Sequence, residues 1–309
     1  STQGVSSAAS DVYKRQVGGK GKFKWTTNFN ISFNKSKVTG LSDGQESRYS
    51  SVITTNNYIC KVGHPLSEMY GYVYDGVYQY EDFNEVAPGQ YVLKPEIPNN
   101  TEVRSNIQPG SVKLKDLNGD GKVTAEDQTI IGHGLPIHTG GFTNNFEWKG
   151  FDLSVFFQWS YGNDVINYNR TRLESLNSKH TNQLVSAANH WTPRTVNPDG
   201  SITEGNYTNY LCAPNRSLTN INTDREIEDA SFLRLKNVQL GYSFPTKMLK
   251  NLKIRSLRVY VSAQNIWTWT KYTGYDPEVS TRNSAMTRGF DYSSYPRTRS
   301  YTFGVKLGL

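Results

Sequence analysis

The chain has 309 residues, a formal net charge of +7, 36% hydrophobic and 13% aromatic residues, 20 Tyr and 2 Cys. That length holds one large β domain or two ordinary ones, and the basic residues are scattered rather than gathered into a stripe, which argues against nucleic-acid binding. No apolar run nears the roughly 20 residues of a membrane-spanning helix, and Cys60 and Cys212 leave at most one disulfide open, with no C-x-x-C site.

Residues 1–16 show neither strand alternation nor an amphipathic helix pattern, and are set apart as a non-native or disordered tail. The structured portion is then 17–309. No signal peptide opens the chain, so either the protein is cytoplasmic or its true N-terminus is missing. Gly18-Gly19-Lys20-Gly21-Lys22 lacks the full phosphate-loop pattern and precedes a strand, so it reads as loop.

From Lys22 a strand begins, with Phe23, Trp25, Thr27, Phe29, Ile31 and Phe33 on one face and polar residues on the other. Turn material follows at 38–57, then a Tyr/Gly-rich strand at 69–76. A long excursion with Pro88, Pro95, Pro98 and Pro109 leads into Asp116-Leu117-Asn118-Gly119-Asp120-Gly121-Lys122-Val123-Thr124-Ala125-Glu126-Asp127.

This last stretch has the spacing of a calcium loop. Oxygen side chains stand at positions 1, 3, 5, 9 and 12, with Gly at position 6 where the chain must turn sharply. Asp116, Asn118, Asp120 and Asp127 would supply side-chain oxygens, Lys122 its carbonyl, and Thr124 a direct or water-mediated ligand. Three carboxylates within about 4 Å of one another repel by roughly 4 kcal/mol per pair at an effective dielectric near 20, which a cation relieves. The plainer reading is an Asn/Asp/Gly turn that needs no metal. No flanking helices announce themselves, so calcium here would brace a loop rather than catalyse.

Residues 142–148 and 153–161 read as a hairpin across Lys149-Gly150. An Asn/Ser/Thr-rich connection spans 162–230. Leu233 and Leu235 start the next strand, whose apolar phase slips to Val238, Leu240 and Tyr242, implying a β-bulge near Lys236-Asn237. Pro245 ends it, and a short turn through Lys250-Asn251 leads to a strand at 257–263. A second long loop covers 266–299, and the chain closes on alternating Tyr301, Phe303, Val305, Leu307 and Leu309.

Short turns on one side and long loops on the other, with alternating faces, are the layout of an outer-membrane barrel. Ten residues at about 3.3 Å, tilted by about 45°, cover roughly 24 Å of membrane normal. A secreted, calcium-stabilised β-sandwich serving in carbohydrate binding or adhesion is the alternative.

Trp191, Tyr210, Trp267, Trp269, Tyr272 and Tyr275 suit stacking on sugars or contact with a lid. The plainer reading places Trp267 and Trp269 in an interfacial girdle and the others in loop packing. The five His show no zinc spacing and no nucleophile elbow occurs, so no enzyme is expected.

Several stretches together resemble the C-terminal half of the SusC/RagA family of TonB-linked outer-membrane transporters. They are Gly63-His64-Pro65-Leu66, Gly71-Tyr72-Val73-Tyr74-Asp75-Gly76, Pro109-Gly110 running into Asp116-Leu117-Asn118-Gly119-Asp120-Gly121, Ile130-Ile131-Gly132, and Gly141-Phe142-Thr143-Asn144-Asn145-Phe146. Further matches are Lys149-Gly150-Phe151-Asp152-Leu153-Ser154-Val155-Phe156-Phe157-Gln158, Ala230-Ser231-Phe232-Leu233-Arg234-Leu235-Lys236-Asn237-Val238-Gln239-Leu240-Gly241-Tyr242, Gln264-Asn265-Ile266 and Gly274-Tyr275-Asp276-Pro277-Glu278. The resemblance implies an all-β fold: a partial transmembrane antiparallel barrel, about seven strands of a roughly 22-strand whole with long extracellular loops. It also implies TonB-dependent import of glycans or peptides across the outer membrane, a SusD-like surface lipoprotein as lid, and contact with outer-membrane lipid.

Overall fold

A computed structural model describes residues 23–53, 56–177, 180–218, 221–282 and 284–309 in full, and residues 9–17 as main chain. Seven strands form one antiparallel sheet in which each lies beside its chain neighbours. They are β1 (Ala9–Val17), β2 (Phe23–Phe33), β3 (His138–Trp148), β4 (Phe151–Tyr161), β5 (Phe232–Ser243), β6 (Ser256–Thr270) and β7 (Ser300–Gly308). At 11 residues each, β2, β3 and β4 have the length a tilted strand needs to cross a bilayer.

Period-2 alternation gives this sheet two unlike faces. Phe29, Phe142, Phe157, Leu235 and Trp267 stand in one row across β2 to β6, with the Phe142 and Phe157 rings stacked 4.6 Å apart. The opposite face carries rows such as Gln158, Arg234 and Thr268. The β3–β4 hairpin turns through Lys149 at φ 46° and Gly150 at φ 90°, the left-handed pair that a two-residue type I′ turn requires. The anticipated bulge falls at Lys236, which is skipped in the pairing with both β4 and β6. That extra residue moves the apolar phase from odd to even positions.

The sheet's apolar face is bare. Among the described residues of β1–β7, only Phe232 joins the buried apolar set, whereas Phe23, Phe151, Trp269 and Phe303 are exposed. No second sheet packs on this face among the described residues, so the β-sandwich alternative lacks its defining contact.

The buried core lies instead in the long connections, 34–137, 162–231 and 271–299, which all leave one end of the sheet. Glu68–Gly71 pairs with Tyr58–Lys61 and with Thr129–His133. Asp164–Asn167 pairs antiparallel with Ile227–Asp229 and parallel with Phe290–Asp291, joining the second connection to the third. Four apolar clusters fill this layer among the described residues, the two largest around Tyr58, Met69, Ile166 and Phe290 and around Tyr72, Leu114, Trp191 and Cys212.

Four expectations change. The stretch 69–76 is not a strand of this sheet: it divides into Glu68–Gly71 and Tyr74–Val77, both inside the connection layer. Its Tyr/Gly alternation reflects close packing against neighbouring loops, since a Cβ on Gly71 would lie 2.4 Å from the Asn222 carbonyl oxygen. Residues 9–16, set apart with the tail, join Val17 in β1, which pairs with β2 from Ala9↔Phe33 to Val17↔Trp25. Residues 1–8 and the glycine-rich 18–22 lie outside the described residues.

The β5–β6 connection is not a bare turn but a short helix, Thr246–Leu249, running into a 3-10 turn at Lys250–Leu252. Strand β6 runs on to Thr270, past the position where a loop was expected to begin. Cys60 and Cys212 are free and buried. Burial pushes the Cys212 thiol up to about 11, which leaves it an inert packing group.

Candidate functional site

Two ion clusters organise the region where the connection layer meets the polar face of the sheet. The first sits on β5. Arg234 is in the polar-face row, and its guanidinium donates to Asp276 Oδ1 at 2.6 Å, Glu278 Oε2 at 2.8 Å and Thr268 Oγ1 at 2.9 Å. Arg297 approaches Glu278 from the other side at 3.4 Å. The pairing staples residues 271–299 across the polar face of the sheet. Burial pushes the Asp276 carboxyl up, but the Glu278 N–H and the Arg234 guanidinium outweigh it and leave the group below the usual carboxylate range. Two stretches quoted for the family resemblance, 230–242 and 274–278, therefore meet in one contact.

The second cluster lies in the connection at 162–231. A short helix, α1 (Tyr168–Leu173), is capped by the Asn167 side chain and carries Arg170 toward Glu174. Glu174 is buried and accepts from Arg225 Nη1 at 2.7 Å, Ser186 Oγ at 2.5 Å and Tyr210 Oη at 3.1 Å. Arg170 also reaches Glu228 at 3.2 Å, and Arg225 reaches Glu226 at 2.7 Å. Burial alone would raise the Glu174 carboxyl, but the Ser186 hydroxyl and the two guanidinium groups hold it below its ordinary value. Beside this cluster is a cavity of about 540 Å³, lined among others by Tyr74, Tyr168, Arg172, Glu174, Arg225 and Tyr292. With its carboxylates tied up in ion pairs, the arrangement offers shape and polar contacts rather than a free acid, base or nucleophile.

The aromatic residues singled out from the sequence separate cleanly. Trp191 is buried and donates its indole N–H to Gln79 Oε1 at 2.9 Å. Tyr210 joins the Glu174 cluster, and Tyr272 is buried with its hydroxyl on Asp291 at 2.5 Å. Trp267 and Trp269 project from the bare apolar face. Tyr275 does not pack its own loop: it is 84% exposed.

The Asp116–Asp127 loop stands at the edge of the connection layer, tied to it where Asn99 Oδ1 accepts the Val123 N–H at 3.1 Å. Its oxygens accept main-chain N–H groups. Asp116 takes Gly119 and Gly121, both at 2.7 Å; Asn118 takes Asp120 at 2.9 Å; and Asp120 takes Lys122 at 2.8 Å. Asp127 is fully buried and takes Leu117, Asn118 and Thr124, while Thr124 Oγ1 takes Glu126. Burial pushes the Asp127 carboxyl up, and the N–H groups of Thr124, Leu117 and Asn118 bring it below the ordinary value. Among the described residues, no group of three or more His, Cys, Asp or Glu side chains converges on a common metal position. Sequence reading did not single out Arg170, Glu174, Arg225 and Glu228. Their only signal is the presence of charge in an otherwise Asn/Ser/Thr-rich connection.

No protein-family model matches the chain. TonB-dependent receptor P3 of Formosa agariphila is 34% identical over 295 residues, covering 92% of this chain and 27% of that protein. TonB-dependent receptor SusC of Bacteroides thetaiotaomicron is 25% identical over 291 residues, covering 92% and 24%. The structure of the RagAB peptide transporter superposes with a TM-score of 0.68 at 24% identity, over 95% of this chain and 28% of that one. The chain thus spans about a quarter of the length of the curated relatives it matches. A sheet with a bare apolar face, together with these relatives, places the chain among TonB-dependent receptors of the outer membrane. Within that class the chain is a SusC/RagA-like segment.

Proposed function

We propose that this segment forms part of the wall and outer loops of a TonB-dependent importer, about seven strands of a roughly 22-strand barrel. The observation that carries the reading is the one-sidedness of the sheet. Its apolar face is bare, its polar face is stapled through Arg234, and its long connections fold into one layer at one end. That layer is the extracellular side in this reading, because the short turns of such barrels face the periplasm.

The cargo is an oligosaccharide or a peptide. The relative named as a peptide transporter supports the second, and the network of fixed charges beside the cavity suits either. A SusD-like lipoprotein closes the outer mouth over the connection layer, and TonB supplies the pull. Calcium at Asp116, Asn118, Asp120, Lys122, Thr124 and Asp127 is part of the same proposal. The ligand spacing and the outward position of Asp120 support it, while the inward Asp127 holds the loop shut through three main-chain N–H groups.

The experiment compares uptake of labelled oligosaccharide and peptide pools in cells with and without the receptor carrying this segment, each with TonB intact or deleted. Uptake of one pool that needs both proteins supports the reading. Uptake of neither pool, or uptake indifferent to TonB, overturns it.

A further inference from the structure

The end of the sheet opposite the connection layer carries a patch that import does not require. In the β5–β6 connection, Lys247, Lys250, Lys253 and Arg255 are all exposed, and none is in an ion pair among the described residues. No acidic residue occurs from 244 to 275. The two carboxylates that flank this end are already taken, Glu147 by Lys24 at 3.1 Å and Asp152 by Arg258 at 2.5 Å. A further cation, Lys149, sits in the neighbouring β3–β4 turn with its ammonium 4.9 Å above the Trp148 ring.

Interleaved with these cations are apolar side chains that bury nothing. Met248 is 64% and Leu252 65% exposed, while Leu249 between them is buried and pins the short helix to the sheet. A turn meant only for water has no reason to display two large apolar side chains among four unpaired cations. The patch is continuous with the bare apolar face through Phe151, Tyr242 and Phe244, whose rings follow one another at 4.6 and 5.0 Å. Apolar residues level with the acyl boundary and cations just beyond it are the arrangement by which surface segments hold anionic bilayers.

We propose that residues 244–255, with Trp148 and Lys149, form an interfacial anchor that selects anionic phospholipid headgroups in the leaflet at the short-turn end of the barrel. Met248 and Leu252 enter the headgroup–acyl boundary, and Lys247, Lys250, Lys253 and Arg255 meet the phosphates. The inference rests on the barrel reading, since the sheet must stand in a bilayer for this end to meet headgroups.

The test uses the full receptor that carries this segment, reconstituted in phosphatidylcholine vesicles with traces of spin-labelled phosphatidylglycerol or phosphatidylcholine. The fraction of motionally restricted label gives the relative affinity for each lipid. The quadruple variant K247Q/K250Q/K253Q/R255Q changes only exposed side chains and leaves Leu249 in place. The expected result is a preference for phosphatidylglycerol that falls by roughly tenfold in the variant and is weakened by salt in the parent. An equal preference in parent and variant overturns the anchor, and so does the absence of preference in the parent. A restricted component for both lipids shows that the barrel reading survives either failure; no restricted component for either lipid overturns both.

Discussion

Replacing Arg234 by Ala tests how the connection layer is held to the wall. The Arg234 side chain is 3% exposed and its partner Asp276 6%, so the substitution leaves Asp276 and Glu278 with only the more exposed Arg297 as counter-charge. Removing one partner of a buried pair costs about 3–5 kcal/mol, far more than the pair contributes relative to an apolar replacement of both sides. Most of that cost falls on residues 271–299, which Arg234 fastens to β5 and β6, and not on the strand ladder. At 1.4 kcal/mol per factor of ten, the open form of that connection rises on the order of 10²–10³-fold.

Limited proteolysis reads this directly, because cleavage follows the open population when closing is fast. Cleavage in 271–299 should accelerate by that factor, while cleavage in 34–137 should stay near the parent rate. Adding D276N to R234A should recover part of the loss, since it removes one of the stranded charges. The pH dependence has a fixed sign. Because the Asp276 carboxyl is held below its ordinary range, its contribution is fully present at neutral pH and is lost only as the pH falls through the lowered value, more acidic than for an ordinary carboxylate. A parent and an R234A variant with equal cleavage rates at pH 7 would refute the staple.

In the second cluster, E174Q removes the charge that faces both Arg170 and Arg225, and a loss of about 3–5 kcal/mol in the local stability of 162–231 should appear as faster hydrogen exchange there. D127N weakens a fully buried acceptor of three main-chain N–H groups and should cost about 1–3 kcal/mol in the stability of the 116–127 loop without calcium. Calcium added to the parent should raise its melting temperature, and D116N/D120N should abolish that rise. An unchanged midpoint at millimolar calcium would remove the ion from the account.

Much of the wall was legible because its signal is local. Alternation from Phe23 to Phe33, the Lys149-Gly150 turn and the phase slip at Lys236 each lie within a dozen residues, and pairing preserved all three. Strand β1 escaped because its sequence does not alternate, although its main chain pairs with β2 throughout. The stretch at 69–76 misled because its Tyr/Gly alternation serves loop packing, with Tyr72 buried beside Leu114 and Trp191. The ion clusters were illegible for a different reason. Arg225 and Glu174 are 51 residues apart, and Arg234 and Asp276 are 42 apart, so each pair exists only once the connections fold together. The Asp116–Asp127 spacing was the sharpest motif in the chain, and it also serves a turn whose oxygens grip their own backbone.

The central claim is that the bare apolar face meets lipid. Single-tryptophan variants of the full receptor, one keeping Trp267 and the other Trp191, can be reconstituted with lipids brominated along the acyl chain. Trp267 projects from that face and is 53% exposed, whereas Trp191 is 2% exposed within the connection layer. The account predicts strong quenching of Trp267 and little of Trp191. Trp267 as well protected as Trp191 would mean that protein, not lipid, covers the face, and would contradict the account.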